Sequence, residues 1–492
     1  MRQGAAGADS PLKDGGAKLR AAHTEPVQVM TERISRGEFF NLYTAVFLPM
    51  FMAAVDQTLL ATASPHIAAA LGGVRDTSWI AVAYLLASAT AVPFFGRLGD
   101  AHGRRNVLLV CLGLFTLGSL AAGASITLPQ LIAARVVQGL GGGGLMIMSQ
   151  ALIGELVPPR QRVRFQVWFG LLYTAASITG PVLGGVVVAH ASWRWLFLAN
   201  APLALFAAWR LLRLPAGDKH PSGHAADIAG NVLFALSAVT LLYWLTSGGH
   251  RFPWLSAESL VWAGVGLFAL VFLVRHELRH VAPFLPVELL RERTIGRLAM
   301  LVSLFAACMF SLVFLLPLYL QFGRGISVQA SGYLLLPVVG GMVVGAMVSG
   351  QILRRTGRPH WIPVTGMSVA SVALFLFFFL EQSDQYTLVL GVMAGMGMGT
   401  VMSTTQLTVQ TIAGRQKLGA ATALVALSRT MGGAVGTALC GTIAFLSHAG
   451  GDEPGFRLAF LFLSVLAALA AFIASSVPPI TLWTTEKKLP VE

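Results

Sequence analysis

Fourteen apolar segments, each about 20 residues long, run through this 492-residue chain with only short loops between most of them. Their approximate cores are 42–71, 78–98, 106–124, 128–150, 164–188, 193–213, 226–246, 257–275, 297–320, 330–352, 361–380, 386–411, 419–445 and 457–476. A chain inside lipid must satisfy its own backbone N–H and C=O groups, which leaves helices or a closed barrel. A barrel would show ten-residue stretches of alternating hydrophobicity, and these segments are continuous. The reading is an all-α polytopic membrane protein with 14 transmembrane helices. Composition agrees, with 55% hydrophobic and 11% charged residues, against roughly 25% charged in soluble domains.

The charge that remains is one-sided. With the N-terminus inside, 27 Lys and Arg fall on the cytoplasmic side and 5 outside. The positive-inside rule then places both termini in the cytoplasm and the chain in the cell membrane. The formal net charge of +13 is accounted for by that rim, so no nucleic-acid partner is expected. Residues 1–41 read as a disordered hydrophilic tail, with no signal-peptide cleavage pattern. Cys111, Cys308 and Cys440 lie in apolar runs and read as packing residues, not as a disulfide framework or a metal site. No metal cluster is expected.

An internal repeat is visible. Gly96-Arg97-Leu98-Gly99-Asp100 is followed by Gly103-Arg104-Arg105, and Gly350 is followed by Gly357-Arg358, an offset of 254. Gly180-Pro181 with Gly184-Gly185 pairs with Gly432-Gly433 and Gly436, an offset of 252. Agreeing offsets argue for two homologous halves. The domain division is a six-helix bundle at 42–213, two inserted helices in 214–280, an amphipathic cytoplasmic linker at 281–296, a second six-helix bundle at 297–476 and a tail at 477–492. The inserted pair holds few polar residues and reads as lipid-facing.

These motifs carry a resemblance over residues 42 to 476. The chain resembles a major facilitator superfamily transporter of the fourteen-helix drug:proton antiporter branch. The matching residues are Asp56, Gln57, Thr58 and Pro65 in the first span and Gly96 to Arg105 after the second. Arg135, Gln138 and Gly139 match in the fourth, and Gly180, Pro181, Gly184 and Gly185 in the fifth. Pro286 onward, Ser331-Gly332 and Leu336-Pro337 also match. The resemblance implies two six-helix halves with two helices between them, and proton-coupled export of lipophilic or amphiphilic small molecules by alternating access. It implies that Gly96, Gly99, Asp100, Gly103, Arg104 and Arg105 form a conformational latch. It makes the Gly180–Gly185 stretch a seam between the halves that restricts leak. Some such transporters work with a periplasmic adaptor protein, and the transport unit is a monomer.

Charge within lipid is costly and usually functional. Three charges lie deep: Asp56, Arg135 and Arg429. Asp56 lies about 21 Å from the inner face and Arg135 about 9 Å from the outer, which in a core of about 30 Å is the same level. They are expected to face one another or share a cavity. Burial disfavours a carboxylate and a nearby guanidinium favours it, so a motion that separates them would switch proton affinity. A static ion pair fixing two helices is the alternative. Arg429 suits either an anionic substrate group or backbone carbonyls. Trp168, Tyr173 and Gln321 are candidate cavity residues, although such positions more often face lipid or core. Trp79, Trp193 and Trp195 read as interface anchors.

The chain has no phosphate-binding glycine loop followed by Lys, no cofactor site and no catalytic grouping. A transporter, not an enzyme, is expected. The deep charges sum to +1, which suits a neutral, anionic or weakly cationic amphiphile better than a dication. Export of an endogenous lipid, siderophore or metabolite fits the same sequence.

Overall fold

A computed structural model describes residues 36–73, 76–156, 172, 175–176, 179–214, 227–248, 251–280, 287–379, 383–414, 418–445 and 453–480. The described residues from Asn41 onward form one compact unit. Among the described residues almost everything is helix, and the β structure is a single bridge between Gly248 and Phe252.

The helices are α1 (Arg36–Ala70), α2 (Ser78–His102), α3 (Arg104–Ala124) and α4 (Leu128–Leu156). Then come α5 (Thr179–His190), α6 (Trp195–Leu212), α7 (Ile228–Ser247) and α8 (Ala257–Glu277). The last six are α9 (Arg293–Leu318), α10 (Val328–Thr356), α11 (Trp361–Phe379), α12 (Asp384–Ala413), α13 (Leu418–Ala444) and α14 (Glu453–Ser475). Among the described residues thirteen of these are long and apolar enough to span a membrane, and α5 is the described apolar helix where the fifth span is expected. A short helix, Val287–Leu290, precedes α9.

The ends are set locally. Gly103 adopts φ +88° and is the one residue between α2 and α3. A side chain there would be strained, so glycine is what allows so tight a turn. Ser327, Ser256 and Ser383 cap α10, α8 and α12 by accepting backbone N–H groups. One end of the bundle carries Arg104, Arg105, Arg210, Arg213, Arg275, Arg354 and Arg355 and is called the basic end below. The opposite end carries Asp76, Trp193, Arg251 and Arg324.

Two parts of the molecule pack alike. Helix α4 lies against α2 and α3, and α12 lies against α10 and α11. Helix α6 flanks α3 as α14 flanks α11. The match extends to single glycines. A Cβ at Gly139 or Gly143 would strike the backbone of Tyr84 or Ser88 on α2. A Cβ at Gly395 or Gly399 would strike Val338 or Met342 on α10. The glycines are 256 residues apart in each pair and their partners 254. Missing side chains let the backbones touch, which supplies packing in lipid, where no hydrophobic force drives helices together.

Two expectations change. Trp193 is not an interface anchor: it is 5% exposed, packs edge-on to Phe197 and carries the Arg194 guanidinium 4.5 Å from its ring. Trp195 does face outward. The inserted pair is only partly lipid-facing. Helix α8 exposes Leu260, Val261 and Phe268. Phe234 of α7 and Leu273 of α8, however, are buried with Ala89 of α2 and pack on Leu427 and Met431 of α13. The hairpin therefore covers the line where α2 meets α13, which apolar composition alone does not distinguish from a lipid face.

Candidate transport site

Asp56 and Arg135 meet in the interior, 3% and 1% exposed. Arg135 Nη1 donates to Asp56 Oδ2 at 2.5 Å and to Gln138 Oε1 at 2.7 Å. Gln138 Nε2 donates to Asp56 Oδ1 at 2.9 Å and to Ser119 Oγ at 3.3 Å. Ser119 Oγ also accepts from Asn200 Nδ2 at 2.8 Å and donates to the Phe197 carbonyl. Arg135 Nε donates to the Ile80 carbonyl at 3.1 Å, and the guanidinium sits 4.3 Å from the centre of the Tyr84 ring. One network thus ties α1, α2, α3, α4 and α6. Both carboxylate oxygens are held by donors from α4, which keeps a buried charge satisfied.

Ser119, Asn200 and Tyr84 are not among the predicted site residues, and Gln138 enters the sequence reading only through the fourth-span resemblance. A signal for Gln138 exists: it lies three residues after Arg135, hence on the same helix face. Ser119 and Asn200 give none, because single small polar residues are common in spans.

Arg135 also lines a narrow space between the halves, about 20 Å³ and so roomy enough for about one water. Its wall includes Gln57, Ser64, Tyr84, Phe310 and Thr437. Thr437 Oγ1 is buried without a hydrogen-bond partner among the described residues. Asp56 is not in this wall, so the guanidinium is the charge the cavity sees. Arg429 is half-buried on α13, about 12 Å along the helix from Thr437, and is outside the wall. Trp168 and Tyr173 lie outside the described residues.

Gln321 is also outside the cavity wall. It sits in a π-helical turn, Tyr319–Gly323, at the end of α9. Its Nε2 donates at 2.9 Å to the Thr62 carbonyl of α1 and to Ser331 Oγ of α10. Thr62 Oγ1 donates to the Pro181 carbonyl at 3.0 Å. Gly332 of α10 faces that same carbonyl, and Gly185 faces Val328 and Gln329. Gly180 and Gly184 take the other side of α5, against Thr58, Leu59 and Thr62. The Gly180–Gly185 stretch therefore stands between α1 and α10, and the halves are joined at the opposite end.

At the basic end, Arg104 Nη1 donates to the Ala151 carbonyl and Nε lies 3.6 Å from Glu155. Arg105 Nη1 donates to the Leu214 carbonyl. These contacts stay within α3, α4 and the end of α6. A Cβ on Gly99 would run into Met148 of α4, whereas Gly96 has open space around it. The Asp100 side chain lies outside the described residues.

The family model described as Major Facilitator Superfamily matches residues 46–437. The multidrug transporter protein MdtP of Bacillus subtilis is 32% identical over 404 residues, covering 82% of this chain and 74% of that protein. An efflux pump of Gibberella fujikuroi, FUS6, is 30% identical over 381 residues, covering 75% and 68%. An uncharacterized MFS-type transporter of Mycobacterium tuberculosis is 33% identical over 407 residues, and the match spans 59% of its length. Among solved structures, a bacterial homologue of the lysosomal transporter Spinster superposes with a TM-score of 0.64 at 16% identity, covering 90% of this chain and 98% of that one. The xylose transporter XylE of E. coli gives 0.60 at 13% identity, covering 89% and 98%. At these identities the likeness is one of fold.

Proposed function

We propose that this chain, which belongs to the major facilitator superfamily, exports lipophilic or amphiphilic small molecules by alternating access, driven by protons that Asp56 binds and releases. It is a transporter and not an enzyme. The efflux reading draws on the relatives called multidrug transporter and efflux pump. Proton coupling draws on the Asp56–Arg135–Gln138 network.

One observation carries that role. The packing that places Arg135 and Gln138 in α4 recurs in α12, where the positions 256 residues on are Gly391 and Ala394. The helix arrangement forms without a buried ion pair. A well-packed apolar replacement for such a pair is often neutral or stabilising, so packing does not account for the network. A carboxylate that can lose its guanidinium partner when helices move has a proton affinity tied to conformation. In the closed network the carboxylate is paired with the guanidinium. When α1 and α4 shift apart, a proton replaces the guanidinium, and return to the paired state expels it.

Arg135, and not Asp56, lines the space between the halves, so a neutral or anionic amphiphile suits that space once it opens. The organisation proposed is a tail at 1–41, bundles at 42–213 and 297–476, the inserted helices within 214–280, a linker at 281–296 and a C-terminal tail. The basic end faces the cytoplasm of a cell membrane by the charge rule. The transport unit is one chain.

The test is substrate-induced proton movement in proteoliposomes, across a panel of neutral, anionic and dicationic compounds. Asp56→Asn should abolish substrate-linked proton flux. Wild-type flux in that variant would end the coupling role, and fast saturable transport of dications would end the substrate class.

A further inference from the structure

Away from the transport site, the α7–α8 hairpin brings three metal-ligating side chains together at the basic end. Asp227 stands just before α7, and His276 and His280 stand at and beyond the last turn of α8. Their ligand atoms lie within 4.8 Å of one another. His276 Nε2 is 2.9 and 3.0 Å from the two Asp227 oxygens. His280 Nδ1 is 3.8 Å from Asp227 Oδ2. The two imidazoles lie with centroids 5.0 Å apart and planes tilted by 32°, neighbours as residues four apart on a helix are.

We infer that Asp227, His276 and His280 form a binding site for a borderline divalent transition-metal ion such as zinc. The donor set is two imidazole nitrogens and one carboxylate, which suits zinc and leaves a fourth position open. Zinc bonds to nitrogen and oxygen are about 2.0–2.2 Å, so tetrahedral neighbours stand about 3.3–3.5 Å apart. The two Asp–His separations, 2.9 and 3.8 Å, bracket that edge, and all three ligand atoms lie within 4.8 Å of one another.

The surroundings support a cation. Asp227 is held in place: its Oδ1 accepts the Gly230 N–H at 2.8 Å, the outer-shell contact that orients a ligand. Glu277 brings a second carboxylate close, since a Cβ on Gly230 would sit near both Asp227 Oδ2 and Glu277 Oε1. Asn231, one turn along α7, holds an Oδ1 that is buried without a hydrogen-bond partner among the described residues. Arg275 and Arg279 of the same segment are exposed. The Asp227 side chain is 2% exposed but those of His276 and His280 are 27% and 36%, so an ion reaches the site from the His side. Spacing along the chain hides the site, because Asp227 and His276 are 49 residues apart. The sequence reading expected no metal cluster, and the proposed site departs from it here.

The experiment uses the full chain in detergent, stripped with chelator and titrated with zinc alone. The readouts are zinc bound per chain and the thermal unfolding midpoint. One saturable equivalent and a raised midpoint are expected. Paired His276→Gln and His280→Gln substitutions should lower affinity at least about tenfold, and exposed His66→Gln should leave it unchanged. Asp227→Asn keeps a capping side chain while removing the charge, and it should also weaken binding. If the paired variant does not fold, His280→Gln alone decides, because its 3.8 Å contact contributes little to the apo hairpin. Binding without a saturable equivalent, or binding indifferent to these substitutions, overturns the site and leaves a hydrogen-bonded triad. Neither result bears on Asp56 and transport.

Discussion

Helices α4 and α12 press pairs of glycines into the backbones of α2 and α10 at matching positions, yet their chemistry differs. In the first half Arg135 lies over Tyr84 and joins Gln138 to Asp56. In the second, Gly391 lies against Val338, and Ala394 stands where Gln138 does. Around α12, Met367, Leu374, Phe377 and Met398 are buried, and the polar residues it buries, among them Thr387 and Thr404, carry no charge. One backbone frame therefore carries either a charged network or none. Shape in this fold comes from close contact of small residues, and the buried Asp56–Arg135 pair lies on one side of the seam while Arg429 stands on the other.

The largest effect should come from Asp56→Asn, which leaves Arg135 buried without its counter-ion. Stability should fall by about 3–5 kcal/mol, read from unfolding in detergent, with substrate-linked proton flux at background. Replacing both partners, Asp56→Asn with Arg135→Gln, should recover most of the stability and none of the coupling. Recovery of both would make the network a packing device and erase the contrast between halves.

Next, Gly139→Ala and Gly395→Ala should cost similar amounts, about 1–3 kcal/mol each, by overpacking against Tyr84 and Val338. A clear inequality would show that the two frames differ. A comparable loss, about 1–3 kcal/mol, is expected for Gln138→Leu, which strips donors from Asp56 and Ser119. The smallest effect should be that of Gln321→Leu, about 0.5–1.5 kcal/mol. It removes the link to the Thr62 carbonyl and should raise passive proton leak in proteoliposomes. An unchanged leak would remove Gln321 from the closure of the opposite end.

Much of this was legible along the chain. Span length, basic loops and glycine spacing are one-dimensional, and lipid makes them decisive, because the bilayer fixes how long a helix must be and which side its arginines prefer. Depth counting even placed Asp56 and Arg135 at one level. Rotation about the helix axis is a different matter. Whether Gln321 faces a cavity or a neighbouring helix depends on how α9 turns after Pro317 into its π-helical end. Trp193 reads as an anchor by position and is core by rotation.

The sequence by itself determined that the chain spans a membrane many times, in two related halves, with three deep charges. Apolar length and charge are summed over a segment and do not depend on neighbours. Tertiary structure alone decided that Ser119 and Asn200 complete the Asp56 network, that α7 covers the α2–α13 line, and that Asp227 meets His276 and His280. Each of those contacts joins residues tens of positions apart, and only the packing of helices against one another brings such residues face to face.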